Sequence, residues 1–355
     1  MPDKLHVTVG IIGLNRVTAS VGLMLKAHSA DPKGSAKFTV IGNDEDAEVM
    51  KTAQKSGVVD QTKMRIADAI KEAQVVIVDQ PVGDLDFVYG ELGYGLRPGA
   101  VVLDLSPIKR PVIEFAKTHF PRSESGQPQS YLVGLFPVVH FANLYDFRRG
   151  IEVADEKYLI GGEMFIAPDA SCPPEAVKLA SDLTDICQMK PRFLDPGEFD
   201  ALSDFTETMP VALSTAMFNA IAAADGRKDI ERSLNPAFAA LIQNLRAHNP
   251  DDITDLLLSD ADSTRRHIND LIRALAGLRD LLDKDNPDAL SEHIRRTIAT
   301  FDDWEARREK GEWEKPVGEM PGGISMFGNM FGGVIEKRLS KFEEKAETTH
   351  RKRKR

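Results

Sequence analysis

Residues 6–25 read HVTVGIIGLNRVTASVGLML, and the change of period inside this stretch decides the fold. Val7, Val9, Ile11 and Ile12 form a β-branched apolar run that breaks at Gly13; Val17, Val21 and Leu25 then recur at helical spacing. Strand, tight turn and helix are the opening of a Rossmann unit. The helix N-terminus there offers backbone N–H groups and the positive end of its dipole to a dinucleotide pyrophosphate. In G-x-G-x-x-G register the key positions are Gly13, Asn15 and Thr18, so one glycine of three is present. Gly13, Asn15, Arg16, Val17 and Thr18 are therefore the candidate phosphate-side contacts. Gly13 supplies a permissive backbone for the turn. Asn15 tolerates a left-handed conformation, but its side chain crowds the point where a second glycine lets phosphate approach. Thr18 needs only to be small for helix–strand packing.

Outward from this unit, strand-like and helix-like segments alternate. Strands are predicted at Val7–Ile12, Phe38–Ile41, Val75–Val78, Val101–Leu105, Tyr131–Leu135 and Met164–Ala167, with helices over Ala47–Lys55, Asp84–Gly90 and Val112–Thr118. This pattern predicts an α/β N-terminal Rossmann domain with a mostly parallel sheet. Asp44 ends the second strand, where an acid can accept hydrogen bonds from the adenosine ribose. With Glu45 and Asp46 beside it, a 2′-phosphate is repelled, which favours NAD over NADP. The same residues also suit an N-cap and acidic first turn for the helix that starts near Ala47. Gln80, Pro81 and Ser106 close neighbouring strands at the carboxyl edge, where open α/β sheets bind ligands.

From about Pro173 the pattern turns helical. Val177, Ala180, Leu183 and Ile186 mark one buried face over Glu175–Met189, and VALSTAMFNAIAAA after Pro210 reads as a helix buried on most sides. Helices follow over Asp252–Leu258, Thr264–Leu282 and Asp288–Arg308. The expected organisation is residues 1–168 as a Rossmann dinucleotide-binding domain, 169–315 as an all-α substrate and dimerisation domain, and 316–355 as a Gly/Met-rich then basic tail. From Glu336 onward that tail carries a net +5, leaving −15 on the rest of the chain.

The 355 residues, 42% hydrophobic and 28% charged, suit a two-domain globular protein. A net charge of −10 argues against nucleic acid as a partner. Cys172 and Cys187 are too few for a disulfide framework and lack metal-ligand spacing, so no metal site is expected. Asp3, Lys4 and His6 interrupt any early apolar run, and no stretch reaches the roughly 18 apolar residues of a membrane span. A cytoplasmic protein without a membrane span is the resulting expectation.

Three further stretches carry a specific resemblance: VIGND (40–44), VVIVDQPV (75–82) and VVLDLSPIK (101–109). Together with GIEVADEKYLIGGEMFIAP (150–168) and the helical half, including NPDALSEHIRRTIATFDDW, the chain resembles the prephenate/arogenate dehydrogenase family over about residues 6–310. The resemblance implies a Rossmann domain and a helical domain that forms a homodimer. It implies NAD(P)-dependent oxidation of the ring hydroxyl of a small carboxylate substrate, with loss of carboxylate, on the way to tyrosine.

The departures from the family pattern cluster on the substrate side. Phe136, in Val133-Gly134-Leu135-Phe136-Pro137, stands where the family places a histidine that hydrogen-bonds the substrate hydroxyl. Glu207-Thr208-Met209-Pro210-Val211 replaces Ser-His-Leu-Pro-His. Ser106-Pro107-Ile108-Lys109 replaces Gly-Ser-Val-Lys, keeping the lysine, and Phe238-Ala239-Ala240 lacks the arginine that would bind substrate carboxylate. His140 and Lys109 are candidate replacements for the missing acid–base group, each with a purely structural alternative. Arg148 and Arg149 lie in a short insertion, residues 141–149, and suit planar anions or a solvated charge pair. Glu207 disfavours a dianionic substrate unless Arg246 or Lys109 pairs with it. Two functions fit: an NAD-dependent oxidoreductase of this family, or a non-catalytic relative that binds a dinucleotide or metabolite as sensor or scaffold.

Overall fold

The opening unit folds as β1 (Leu5–Ile12) and α1 (Arg16–Ala30), joined through Gly13 in a left-handed conformation with φ +93°. The structure is a computed structural model and describes residues 5–246, 249–282, 286–311 and 313. After α1 come β2 (Ala36–Asn43), α2 (Ala47–Lys55), the two-residue β3 (Gln61–Thr62), α3 (Ile66–Ile70), β4 (Val75–Val78), α4 (Leu85–Gly95), β5 (Val101–Asp104) and α5 (Arg110–His119). Then follow β6 (Tyr131–Val138), β7 (Glu163–Pro168), α6 (Pro174–Ile186) and β8 (Lys190–Phe193). Among the described residues these strands make one sheet in the order β3-β2-β1-β4-β5-β6-β7-β8, parallel except for the β6–β7 pair.

Helices cover both faces of this sheet, which is why its central strands are apolar throughout rather than alternating. Val9 and Ile11 of β1 point into a core shared with α1, α2 and α6, whereas Ile12 points into one shared with α3, α4 and α5. The strand order reverses beside β1, between β2 and β4. In a doubly wound sheet this is the crevice where a ligand binds, off the carboxyl ends of the strands. Gly13 and the residue after β4, Asp79, meet there: a Cβ on Gly13 would run into the Asp79 carbonyl.

The helical half comprises α7 (Pro196–Ser203), a π-turn (Asp204–Thr208), α8 (Met209–Ala222), α9 (Arg227–Ser233), α10 (Pro236–Ile242), α11 (Pro250–Leu258), α12 (Ala261–Asp280) and α13 (Pro287–Lys310). The chain divides into two compact units after Ile298. Within the second, the Phe301 and Trp304 rings are in contact and Arg307 lies over Trp313. Residues 316–355, read from sequence as a Gly/Met-rich and basic tail, lie outside the described residues. Among the described residues no helix is long and apolar enough to cross a membrane. Burial pushes the thiols of Cys172 and Cys187 up to about 12, so both stay protonated at neutral pH.

Two local expectations are corrected. The segment after α6 is not continuously helical: Gln188 adopts a left-handed φ of 52°, and Lys190–Phe193 adds a strand at the sheet edge. An edge strand of four residues with two charged side chains shows no apolar period to read. The apolar helix after Pro210 is also less enclosed than its composition implied. Within α8 only Val211 and Ser214 are buried, while Leu213 and Met217 are exposed.

Candidate dinucleotide and substrate site

The loop at the switch point is held by its own side chains. The Gly13 N–H donates to the Asn43 carbonyl at 2.9 Å, and the Leu14 N–H to Asp44 Oδ2 at 2.8 Å. Asn15 is the N-cap of α1: its Oδ1 accepts from the N–H groups of Val17 at 2.9 Å and Thr18 at 3.1 Å. Thr18 Oγ1 completes a capping box by accepting from the Asn15 N–H at 3.0 Å, and it donates to the Gly13 carbonyl at 2.7 Å. Asn15 is thus extended (φ −120°), not left-handed as its position suggested. Thr18 is also more than a small residue. The Asn-x-x-Thr spacing was the signal for a capping box.

Arg16 turns away from the loop. Its guanidinium is buried, donating to Asp146 Oδ2 at 2.7 Å and to the Arg148 carbonyl at 2.8 Å, and it lies 3.8 Å from the centre of the Tyr158 ring. These contacts fasten the 141–149 segment to the first turn of α1. Asp146 also pairs with Arg148 at 2.6 Å, and the two guanidiniums hold its carboxylate well below the usual range. His140 is a capping residue: its Nδ1 accepts from the Ala142 N–H at 3.2 Å at the head of a short 3₁₀ turn, Phe141–Asn143.

Behind the loop lies a buried polar network. Asn15 Nδ2 donates to Asp79 Oδ2 at 2.7 Å. Burial pushes the Asp79 carboxyl up to about 6; the Asn15 amide opposes that rise and Asp104 adds to it. Lys109 is enclosed, donating to the carbonyls of Asp104 (2.8 Å), Ser106 (2.6 Å) and Leu135 (2.9 Å), with Asp104 Oδ1 at 3.3 Å. Burial lowers its ammonium pKa, and Asp104 works against that. Ser106 points inward as well, its hydroxyl bonded to Asp104 Oδ1 and to the Ile108 carbonyl. Asp200 Oδ1 accepts from the Lys109 N–H at 2.6 Å, tying α7 to the end of β5. The two titratable candidates therefore hold structure: His140 as a cap, Lys109 as the centre of a satisfied buried cluster.

The residues suit a dinucleotide in three respects: the glycine turn at the switch point, the N-terminus of α1, and an acid at the end of β2 beside that loop. Gln80 and Pro81 border the same turn, and Gln80 Nε2 would lie 2.8 Å from a Cβ on Gly13. One respect is tight. The N–H groups of Val17 and Thr18, which face an anion in such a site, already donate to Asn15.

Comparison with known proteins agrees with this architecture. The family model described as "Prephenate dehydrogenase, nucleotide-binding domain" matches residues 30–188, from the end of α1 past α6. The prephenate dehydrogenase of Bacillus subtilis (strain 168) is 19% identical over 310 residues, 87% of this chain and 79% of the relative. Over that stretch the chain resembles the prephenate dehydrogenase family at low identity. A cyclohexadienyl dehydrogenase of Zymomonas mobilis is 20% identical over 291 residues, 81% of this chain and 93% of the relative. The crystal structure of prephenate dehydrogenase from A. aeolicus in complex with hydroxyphenyl propionate and NAD+ superposes with a TM-score of 0.69 at 16% identity. It covers 85% of this chain and 98% of that one, and shows the shared fold.

Set beside this family, the chain is unusual on its substrate side. Phe136 faces Phe165 across the β6–β7 pair, and both rings contact Phe199 of α7, at 5.3 Å and 6.3 Å between centroids. An aromatic wall stands where sequence comparison expected an imidazole. Glu207 sits on the π-turn, and its carboxyl is pushed up to about 7 by burial, with Arg149 drawing it down and Asp79 adding to the rise. Lys109, one of the two cations the sequence offered for Glu207, is committed to Asp104. Sequence reading named Glu207 only as an obstacle; the π-turn that places it has no signature in DFTET.

Proposed function

We propose that this protein is an NAD-dependent oxidoreductase that takes hydride from a small hydroxy-carboxylate of the prephenate or arogenate type. The observation that carries the reading is the Asp44–Leu14 hydrogen bond. It holds an acid at the end of β2 against the turn that follows β1, in a chain whose residues 30–188 match this family's nucleotide-binding domain. Asp44 would receive the adenosine ribose hydroxyls, and with Glu45 and Asp46 it disfavours a 2′-phosphate. Gly13, the N-terminus of α1 and the Gln80–Pro81 turn would border the pyrophosphate. Bound there, the dinucleotide would supply the hydride acceptor; the chain's part is to orient it and to present the substrate.

The domain division follows from the same reading: residues 1–168 bind nucleotide and 169–315 meet the substrate and a second subunit. A homodimer would cover the exposed apolar side chains of the helical half, Leu213 and Met217 on α8, Leu241 on α10, and Ile268, Ile272 and Leu275 on α12. A cytoplasmic location accords with this chemistry. The alternative of a non-catalytic sensor or scaffold draws on the absent histidines.

Titration with NADH and NADPH, followed by nucleotide fluorescence, tests the reading. Saturable binding that favours NADH, then turnover of prephenate or arogenate with NAD, supports it. Nucleotide binding without turnover on either substrate supports the sensor, and no binding at millimolar nucleotide overturns both.

A further inference from the structure

The first turn of α1 is charged against the usual electrostatics of a helix. Arg16 is its first residue, and no acidic side chain lies in that turn, although the positive end of the dipole favours anions and disfavours a cation. The guanidinium is also buried, with Nε unpaired among the described residues. A charge enclosed in this way is costly unless close contacts offset it. Those contacts all come from the connection between β6 and β7: Asp146 Oδ2 at 2.7 Å, the Asp146 carbonyl at 3.2 Å, the Arg148 carbonyl at 2.8 Å, and the Tyr158 ring centre at 3.8 Å.

Arg148 shares the same carboxylate. Its Nε donates to Asp146 Oδ1 at 2.8 Å and its Nη2 to Oδ2 at 2.6 Å. Two guanidiniums thus oppose one carboxylate, and the trio brings a net +1 to the head of α1 in a chain of net charge −10. Arg148 differs from Arg16 in exposure. Its side chain keeps 69% of its accessible surface, and among the described residues its Nη1 edge has no acceptor. Meanwhile the N–H groups of Val17 and Thr18, the ordinary anion donors of such a helix end, are taken by Asn15. The helix has lost its own donors and gained an arginine fork on a segment fastened to its first residue.

We propose that the Arg16–Asp146–Arg148 trio is a pyrophosphate seat at the head of α1. Arg148 donates to the phosphate oxygens in place of the N–H groups that Asn15 occupies, and Arg16 is the positioning residue that holds the segment there. This rests on the nucleotide-binding part of the reading above and names the cation that serves it. A planar guanidinium can bond two phosphate oxygens at once. Asp146 orients the Arg148 fork before the ligand arrives, so less side-chain freedom is lost on binding. Arg16 is held by two carbonyls as well as by the carboxylate, and it keeps its place when Arg148 turns to the phosphates.

The test uses the full chain, with NADH followed by fluorescence, and ADP-ribose and inorganic pyrophosphate by calorimetry. Arg148→Gln should weaken NADH and ADP-ribose alike by about tenfold or more, as lost charged hydrogen bonds do, and make NADH affinity less sensitive to salt. Arg148→Lys should restore part of the loss, because it returns the charge without the fork. Arg122→Gln removes the same charge from the loop that precedes β6, at the opposite edge of the sheet, and should leave both affinities unchanged. In an Arg16→Gln background, Arg148→Gln should cost little more, since a fork no longer held in place contributes little. Thermal melting checks that each variant folds. An Arg148→Gln variant that binds NADH as tightly as its parent overturns the proposal and spares the nucleotide reading. Costs of the two substitutions that simply add overturn the positioning role of Arg16. If the unaltered chain binds neither NADH nor ADP-ribose, the nucleotide reading falls. Inorganic pyrophosphate that still binds, and is lost in Arg148→Gln, then leaves the seat standing; no binding of pyrophosphate overturns the seat as well.

Discussion

Asn15 and Asp79, the residues that follow the turn after β1 and the end of β4, are joined by a hydrogen bond of 2.7 Å from Nδ2 to Oδ2 across the switch point of the sheet. The other end of the same amide caps α1 by accepting from Val17 and Thr18. One side chain thus holds both the anion-attracting helix end and the carboxylate beside it. Replacing Asn15 by Gly should free two N–H groups and remove a bulky neighbour of the pyrophosphate. NADH should then bind about three- to tenfold tighter, a gain of roughly 1 kcal/mol; the glycine cap itself costs only a few tenths of a kcal/mol, and loss of the Asn15–Asp79 hydrogen bond adds about 1 kcal/mol. Asn15→Asp keeps the cap but adds a charge beside Asp79, and should weaken NADH binding. Fluorescence titration of both variants checks the pair; equal affinities for Gly and Asp would show that no phosphate approaches position 15.

Asp44 serves two purposes in the structure, accepting from the Leu14 N–H and from the Asp46 N–H at 2.9 Å. Asp44→Ala removes the ribose acceptor and leaves Leu14 unpaired, so NADH affinity should drop about tenfold or more, given about 1–3 kcal/mol for lost charge-assisted hydrogen bonds. The preference for NADH over NADPH should shrink at the same time, because the charge facing a 2′-phosphate is reduced. A ratio of the two dissociation constants unchanged by the substitution would show that Asp44 is a loop support only.

The legibility of this chain follows the range over which each feature is encoded. The central strands and α2 could be read because their apolar runs and turns are local. The role of Thr18 was also local, in the Asn-x-x-Thr spacing, and was passed over in favour of its size. The strand Lys190–Phe193 owes its pairing to β7 and not to its own residues. Burial of α8 could not be read from a stretch so uniformly apolar, since no polar stripe marks its outer face. At the site, the enclosure of Lys109 depends on carbonyls from Asp104, Ser106 and Leu135 brought together by tertiary structure.

Phe136 is the departure most open to direct repair. Its ring is half-buried and contacts Phe199, so Phe136→His loses aromatic packing worth about 0.5–1.5 kcal/mol and should still fold. If the cleft otherwise retains the family's reaction, turnover of prephenate should rise by about a hundredfold or more, the usual effect of a positioned acid–base group. Steady-state NADH production, with thermal melting as the control for folding, decides it. A folded variant that binds NADH and shows no gain would assign the divergence to the whole substrate side and not to one side chain.

Asp79 should leave a signature in the pH dependence of stability. Burial holds its carboxyl at about 6 against an ordinary value of 3.8. The folded protein therefore keeps a proton that the unfolded chain releases between those values. Where the folded state binds more protons, stability falls as pH rises. The loss should begin near pH 4, be complete a little above 6, and amount to about 3 kcal/mol at most for a shift of about two units. Asp79→Asn removes the ionisable group, and its side-chain oxygen can still accept from Asn15. Relative to the unaltered protein, this variant should gain most at pH 7.5 and nothing near pH 4, measured as urea-unfolding midpoints across that range. A constant difference at all pH values would mean that the Asp79 carboxyl is ionised throughout. The Asn15 amide would then be strong enough to offset the burial of the charge.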